Sequence, residues 1–202
     1  MILTLGQRAI TWVCLQVHGL KKHMRVFSHT TAAERLALFD LARSLPPGAC
    51  ALEIGSHIGS SALFICAGLS RGSGKLICVD PWMNETMPDG PKDTFGEFMS
   101  NTRQYAEMIT PIRKYSNKLT AIDIGGPLDL ALIDGDHSEA AVREDFAIVS
   151  QWIKPGGYIA FHDIRGSVFP GVQIVLGEAL ASQEWVIVSL QDTLGVIRRV
   201  LR

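Results

Sequence analysis

The chain has no C-x-x-C pair, no internal repeat and no excess of either charge. Its cysteines, Cys14, Cys50, Cys66 and Cys78, are widely spaced, and the last three sit inside apolar runs. That pattern argues against a disulfide framework or a structural zinc site and makes a reducing cytoplasm the default compartment. No run of apolar residues approaches the roughly 18 needed to cross a membrane, so no membrane partner is expected. The N-terminal stretch AITWVCLQVHGLKKH lacks a basic start, a long hydrophobic region and a small-residue cleavage site, so no signal peptide is expected. A formal net charge of −1 leaves no electrostatic footprint for nucleic acid.

What is present is alternation. With 202 residues, 47% of them hydrophobic and 19% charged, the chain suits one globular α/β domain. A helical segment over residues 1–29 is expected ahead of a main domain over 30–202. Thr31-x-x-Glu34 reads as a capping box, followed at helical spacing by Leu38, Leu41, Ala42 and Leu45 and stopped by Pro46-Pro47-Gly48. ACALEIG reads as a buried strand, Ala62 to Leu69 as a helix, and KLICVD as a second strand. Residues 81–94 read as a long loop, and Phe95 to Met108 as a helix before a weak strand at Ile109 to Arg113. Strand LDLALID, a helix from Ser138 to Trp152, the turn KPGG and strand YIAFHD follow. A helix from Gly171 to Ser182 leads to EWVIVSL and LGVIRRV, whose connection is too short for a parallel crossover. The expected fold is a doubly wound, seven-stranded, mostly parallel sheet with one antiparallel strand.

In such sheets ligands bind beyond the carboxyl ends of the strands. Glu53, Asp80, Asp134-Gly135-Asp136-His137 and His162-Asp163 all stand at such ends. The first end, EIGSHIGSSA, brackets a turn with Gly55 and Gly59, which leaves amide donors free at a helix start. His57 interrupts the glycine spacing of a dinucleotide fingerprint, and Glu53 would repel a pyrophosphate but attract an ammonium group. A zwitterionic ligand fits better. Asp80, 25 residues after Gly55, is placed to take the hydroxyls of a ribose.

Glu53-x-Gly55-x-x-x-Gly59-x-Ser61, Asp80, IDGDH at 133–137 and KPGGYIAFHD at 154–163 together resemble the class I S-adenosylmethionine-dependent methyltransferases. More narrowly, the chain is similar to the small O-methyltransferases of the catechol and caffeoyl-CoA type and to the sugar O-methyltransferases related to them. The resemblance implies a Rossmann-like methyltransferase fold and a cofactor site built from Glu53, Gly55, Ser56, His57, Gly59, Ser61, Asp80, Trp82, Ser116 and Asp134. In it Gly55 and His57 would line the methionine part, Ser61 its carboxylate, Asp80 the ribose, and Trp82 and Ser116 the adenine. It also implies, for metal-dependent members, Mg²⁺ or another divalent cation on Asp134 and Asp163.

The asparagine that catechol-type members carry after the second acid is replaced here by Ile164. Some sugar-modifying members carry an acid before it, replaced here by His162, a softer ligand suited to Mn²⁺, Fe²⁺ or Zn²⁺. The catalytic candidates are Asp134, which would hold the acceptor oxygen, and His137 or Asp136, either of which could take its proton. Ser138 suffices as the helix cap. The expected activity is methyl transfer to a hydroxyl of a phenolic or sugar-type small molecule. An NAD-dependent oxidoreductase and a non-catalytic nucleoside-binding protein are the rival readings. The loop 82–93 and residues 165–170 are expected to shape the acceptor pocket. The apolar N-terminal segment is a candidate homodimer contact.

Overall fold

The computed structural model describes residues 5–85 and 90–201. Its sheet is built from β1 (Cys50–Ile54), β2 (Lys75–Val79), β3 (Ile109–Ile112), β4 (Leu128–Ile133), β5 (Ile153–Phe161), β6 (Trp185–Gln191) and β7 (Leu194–Arg199). The order is β3-β2-β1-β4-β5-β7-β6. Strands β1 to β5 pair in parallel, and β7 runs antiparallel between β5 and β6. The doubly wound sheet with one reversed strand is therefore as expected.

The central strands are buried on both faces, which is why they read as unbroken apolar runs. Successive side chains alternate between two cores. Leu52, Ile54, Ala131, Ile133, Ile159 and Phe161 point to one core. There they meet α5 (Ala121–Ile124), α6 (Glu139–Ser150) and α7 (Pro170–Ala181) through Ile124, Val142, Val149, Val172 and Val175. Ala51, Cys78, Leu130, Leu132 and Ala160 point the other way. They meet α2 (Ala32–Ser44), α3 (Ser60–Leu69) and α4 (Phe95–Thr102) through Leu38, Ala42, Ile65 and Phe98.

The N-terminal segment contributes α1 (Leu5–Val17) and a 3₁₀ turn at Leu20–Arg25. Leu15 and Leu20 bury fully against Phe39, Leu63 and Phe64, at about 2 kcal/mol each. The opposite side of α1 leaves Ile10, Trp12, Val13 and Val17 exposed. No described helix is long and apolar enough to cross a membrane.

Two local expectations are corrected. The helix expected from Phe95 to Met108 ends at Thr102 and tightens into a 3₁₀ turn at Arg103–Tyr105. There the Thr102 hydroxyl bonds back to the Phe98 carbonyl (2.7 Å), competing with helix continuation. KPGG is not a turn but lies inside β5. Pairing jumps from Leu128↔Ile153 to Leu130↔Tyr158, so the strand bulges where Pro155 has no amide to offer. Of the expected loop at 81–94, residues 86–89 lie outside the described residues.

Candidate active site

Strand register builds the site. Ile54 pairs with Val79 on one side and Ile133 on the other, and Ile133 pairs with Phe161. The next residue on each strand, Gly55, Asp80, Asp134 and His162, therefore stands on one rim. The chain reverses its direction of winding between β1 and β4, which is where open α/β sheets open a crevice.

At the β4 and β5 ends four side chains converge. The potential ligand atoms of Asp134, His137, His162 and Asp163 all lie within 4.8 Å of one another. His162 Nδ1 is 3.1 Å from Asp134 Oδ1 and 3.3 Å from Asp163 Oδ2. His137 Nε2 is 3.5 Å from Asp134 Oδ1 and 3.2 Å from Asp163 Oδ2. That nitrogen is buried, and neither approach has the direction of a hydrogen bond. Phe169 packs against the His137 ring, with ring centres 4.4 Å apart. Asp163 adopts a left-handed backbone (φ 58°), an uncommon conformation that aspartate tolerates better than most residues.

Charge follows from this crowding. Burial would lower His162, but the carboxylates of Asp134, Asp163 and Glu34 beside it push it up to about 12. Burial likewise opposes the charged form of His137, and Asp134 and Asp163 override it, raising that group to about 9. Asp163 is held well below the usual carboxylate range, its burial being outweighed by the two histidines. Without a cation, the neighbouring carboxylates favour an extra proton on each of the two imidazoles. A divalent ion would replace those two protons.

Two cavities meet at this rim. One, of about 210 Å³, is lined by Asp80, Asn84, Tyr115, Ser116 and Asp145 among others. Asp80 accepts the His57 amide (2.8 Å) and the Trp82 amide, which fixes its carboxylate, while burial raises its pKa. Across the mouth, the Tyr115 hydroxyl donates to Glu85 (2.6 Å). The second cavity, of about 760 Å³, holds Asp134, His137, His162 and Asp163 in one wall. Phe27, His29, Val168, Phe169 and Ile174 help to form the rest. Both cavities share Gly55, His57, Asp134, Gly135 and Asp136 as wall. Asp136 is exposed, and its Oδ1 accepts the Ser138 amide (2.8 Å); Ser138 caps α6 through the Ala141 amide.

Ser56 and Ser61 line the larger cavity, Ser116 the smaller, and Gly55, His57 and Asp134 both. Glu53, Gly59 and Trp82 line neither of them. Glu53 points into the helix-α3 core, where burial pushes its carboxyl up to about 7 despite the nearby hydroxyls of Ser56 and Ser61. Gly59 caps α3 in a left-handed conformation (φ 88°), and a Cβ there would stand 2.6 Å from Thr102. Trp82 was expected beside the adenine. It is instead fully buried against Phe95 and Phe98, and its indole N–H donates to the His57 carbonyl (2.7 Å). It supports the loop from behind.

Asp145 and His29 line the cavities without standing out in the sequence. Asp145 is buried beside Ser116, and burial pushes it up to about 6. Its only sequence signal was a polar residue on the apolar stripe of α6. His29 had no partner in the sequence, because the fold brings Ser28, His29 and Thr30 over the larger cavity. The expected acceptor-shaping segments divide. Val168, Phe169 and Pro170 line the larger cavity, whereas Asn84 and Glu85 line the smaller one.

A family described as a methyltransferase domain matches residues 52–164, from within β1 to just past β5. The uncharacterized protein y4gI of Sinorhizobium fredii is 27% identical over 116 residues, which is 55% of this chain and 13% of that protein. The chain thus spans a small fraction of that curated relative. The solved O-methyltransferase NovP has the same fold at a TM-score of 0.69 and 15% identity, over 86% of this chain and 83% of the other. The O-methyltransferase TomG from Streptomyces achromogenes, in complex with SAM, gives 0.64 and 15%, over 96% and 89%.

Proposed function

Because the chain belongs to the methyltransferase-domain family, we propose that it moves a methyl group from S-adenosylmethionine to a hydroxyl of a phenolic or sugar-type small molecule. One observation carries this reading. A cavity suited to a nucleoside and a roomier, partly aromatic cavity share the wall formed by Gly55, His57, Asp134, Gly135 and Asp136. Two reactants placed in them meet at Asp134, and holding two reactants in line removes much of the barrier.

The roles follow from position. Asp80, fixed by two amides, would take the ribose hydroxyls, and Ser116 with Asp145 the adenine edge. Gly55, Ser56, His57 and Ser61 would surround the amino-acid part, with Glu53 behind them. Phe27, Val168, Phe169 and Ile174 would give the acceptor an apolar bed, and Ser28, His29 and Thr30 would give it hydrogen-bonding partners. Asp136 faces both cavities and would take the acceptor proton. His137 is turned toward the two carboxylates and is better placed as a ligand.

The residues fit a divalent cation. Two carboxylates and two imidazoles converge, and the buried, undirected Nε2 of His137 is the orphan that an ion would satisfy. Asp134, His137, His162 and Asp163 would hold it, and it would supply a Lewis acid that lowers the pKa of an acceptor hydroxyl. The free cysteines suit a cytoplasmic setting. The exposed apolar side of α1 supports a homodimer contact there. The deciding measurement is calorimetry with S-adenosylhomocysteine and NAD. Binding of the first alone is expected, and binding of neither, with or without Mn²⁺, overturns the reading.

A further inference from the structure

Thr31 and Glu34 form the capping box that their spacing predicts. Glu34 Oε2 accepts the Thr31 amide (2.7 Å), while the Thr31 hydroxyl accepts the Glu34 amide (3.2 Å). A cap needs one oxygen near the helix end and tolerates solvent. Glu34 is instead 1% exposed, and its second oxygen accepts both the amide and the hydroxyl of Thr193 (2.7 Å each) in the β6–β7 turn. His162 Nε2 stands 3.4 Å from Glu34 Oε2 and 3.4 Å from the Thr193 hydroxyl. The opposite nitrogen of the same ring, Nδ1, faces Asp134 and Asp163 at 3.1 and 3.3 Å.

The imidazole is therefore suspended between a buried carboxylate on one side and the acid-lined rim on the other. We propose that Glu34 is a positioning residue for a metal centre: it accepts the Nε2–H of His162 and thereby presents Nδ1, with its lone pair, to a divalent cation. The proposal rests on the metal reading above. Two physical arguments support it. A neutral imidazole carries one N–H, so fixing that proton on Nε2 dictates which nitrogen can ligate. An anionic acceptor behind a ligating histidine also strengthens its donation and locks its ring, and loss of such a partner weakens metal binding. Thr193 adds a second restraint, because its hydroxyl is held by Glu34 and lies against the same nitrogen.

The test separates capping from positioning. Glu34→Gln keeps the volume but cannot accept at both ends. Thr31→Ala removes the capping hydroxyl and leaves the Glu34 carboxylate in place. Each variant and the wild type would be titrated with Co²⁺, followed by its visible absorption, with thermal melts alongside. Both variants are expected to melt earlier. Glu34→Gln alone should bind Co²⁺ about 10–100-fold more weakly, with Thr31→Ala within about threefold of wild type. In the Zn²⁺-loaded wild type, ¹⁵N imidazole spectra should show His162 bound through Nδ1 with Nε2 protonated. Equal Co²⁺ affinity of Glu34→Gln and wild type, or ligation through Nε2, overturns the positioning role while the metal reading stands. A wild type that binds no divalent ion overturns the metal reading and this role with it.

Discussion

Gly55 lies so close to the peptide after Asp134 that a Cβ on it would stand 2.1 Å from the Asp134 carbonyl oxygen. Its backbone is also left-handed, at φ 89°. The glycine is required for two reasons, a conformation and a clash, and the clash is with the residue at the junction of the two cavities. Gly55→Ala is expected to cost about 3 kcal/mol or more of stability, measured by denaturant unfolding. A loss under about 1 kcal/mol would mean that the strand ends can part.

The donor set should choose its ion. Mg²⁺ favours an all-oxygen octahedral shell, whereas Asp134, His137, His162 and Asp163 offer two nitrogens and two oxygens. Co²⁺, Mn²⁺ or Zn²⁺ is expected to bind at least about tenfold more tightly than Mg²⁺ in competition titrations. His137→Ala should narrow that gap, because it removes one nitrogen.

Asp136 and His137 should separate by what they impair. Asp136→Asn is expected to lower kcat about 10²–10⁴-fold while leaving S-adenosylhomocysteine and metal affinity near wild type. His137→Ala should weaken metal binding first. The reverse pattern would return the proton to His137.

Asp145 gives a pH signature. Burial raises its folded pKa from 3.8 to about 6, so the folded state favours the neutral acid. Stability is then reduced as pH rises from about 4 through 6, and the cost is complete above that window. Asp145→Asn should therefore stabilise the protein at pH 7.5 by up to about 3 kcal/mol, with the gain fading toward pH 4. An amide can still meet an adenine edge, so S-adenosylhomocysteine affinity should change little. Asp145→Leu should lose it by tenfold or more.

Much of the fold was legible because its signals are one-dimensional. Buried strands read as apolar runs, and the polar residues that end them fall on one rim once the register is parallel. Thr31 with Glu34 announced a helix start and formed one. What was not legible depended on turns of the backbone that no pattern encodes. Trp82 and Asn84 take left-handed conformations (φ 52° and 53°), and the loop through them carries the indole inward, where it lines neither cavity. Pro155-Gly156-Gly157 has the composition of a turn, yet Gly157 is pressed against Ile153 and the Asp129 carbonyl, so the segment continues as a bulged strand. Asp129 helps to hold it there, accepting the Cys50 amide and the Lys154 ammonium. Asp145, His29 and the inner oxygen of Glu34 acquire their roles from residues distant in the chain, and such meetings leave no local trace.

Among the described residues β6 pairs only with β7, and β7 lies between it and β5. The sheet therefore cannot be completed strand by strand as the chain emerges; the last hairpin has to arrive as a unit. Its turn carries Thr193, which braces Glu34 behind His162. A nascent chain that has already formed β1 to β5 would own all four candidate ligands and still hold them loosely. On the metal reading proposed above, docking of that hairpin would also complete the support behind His162, which ties the closure of the sheet to the grip of the site on a cation.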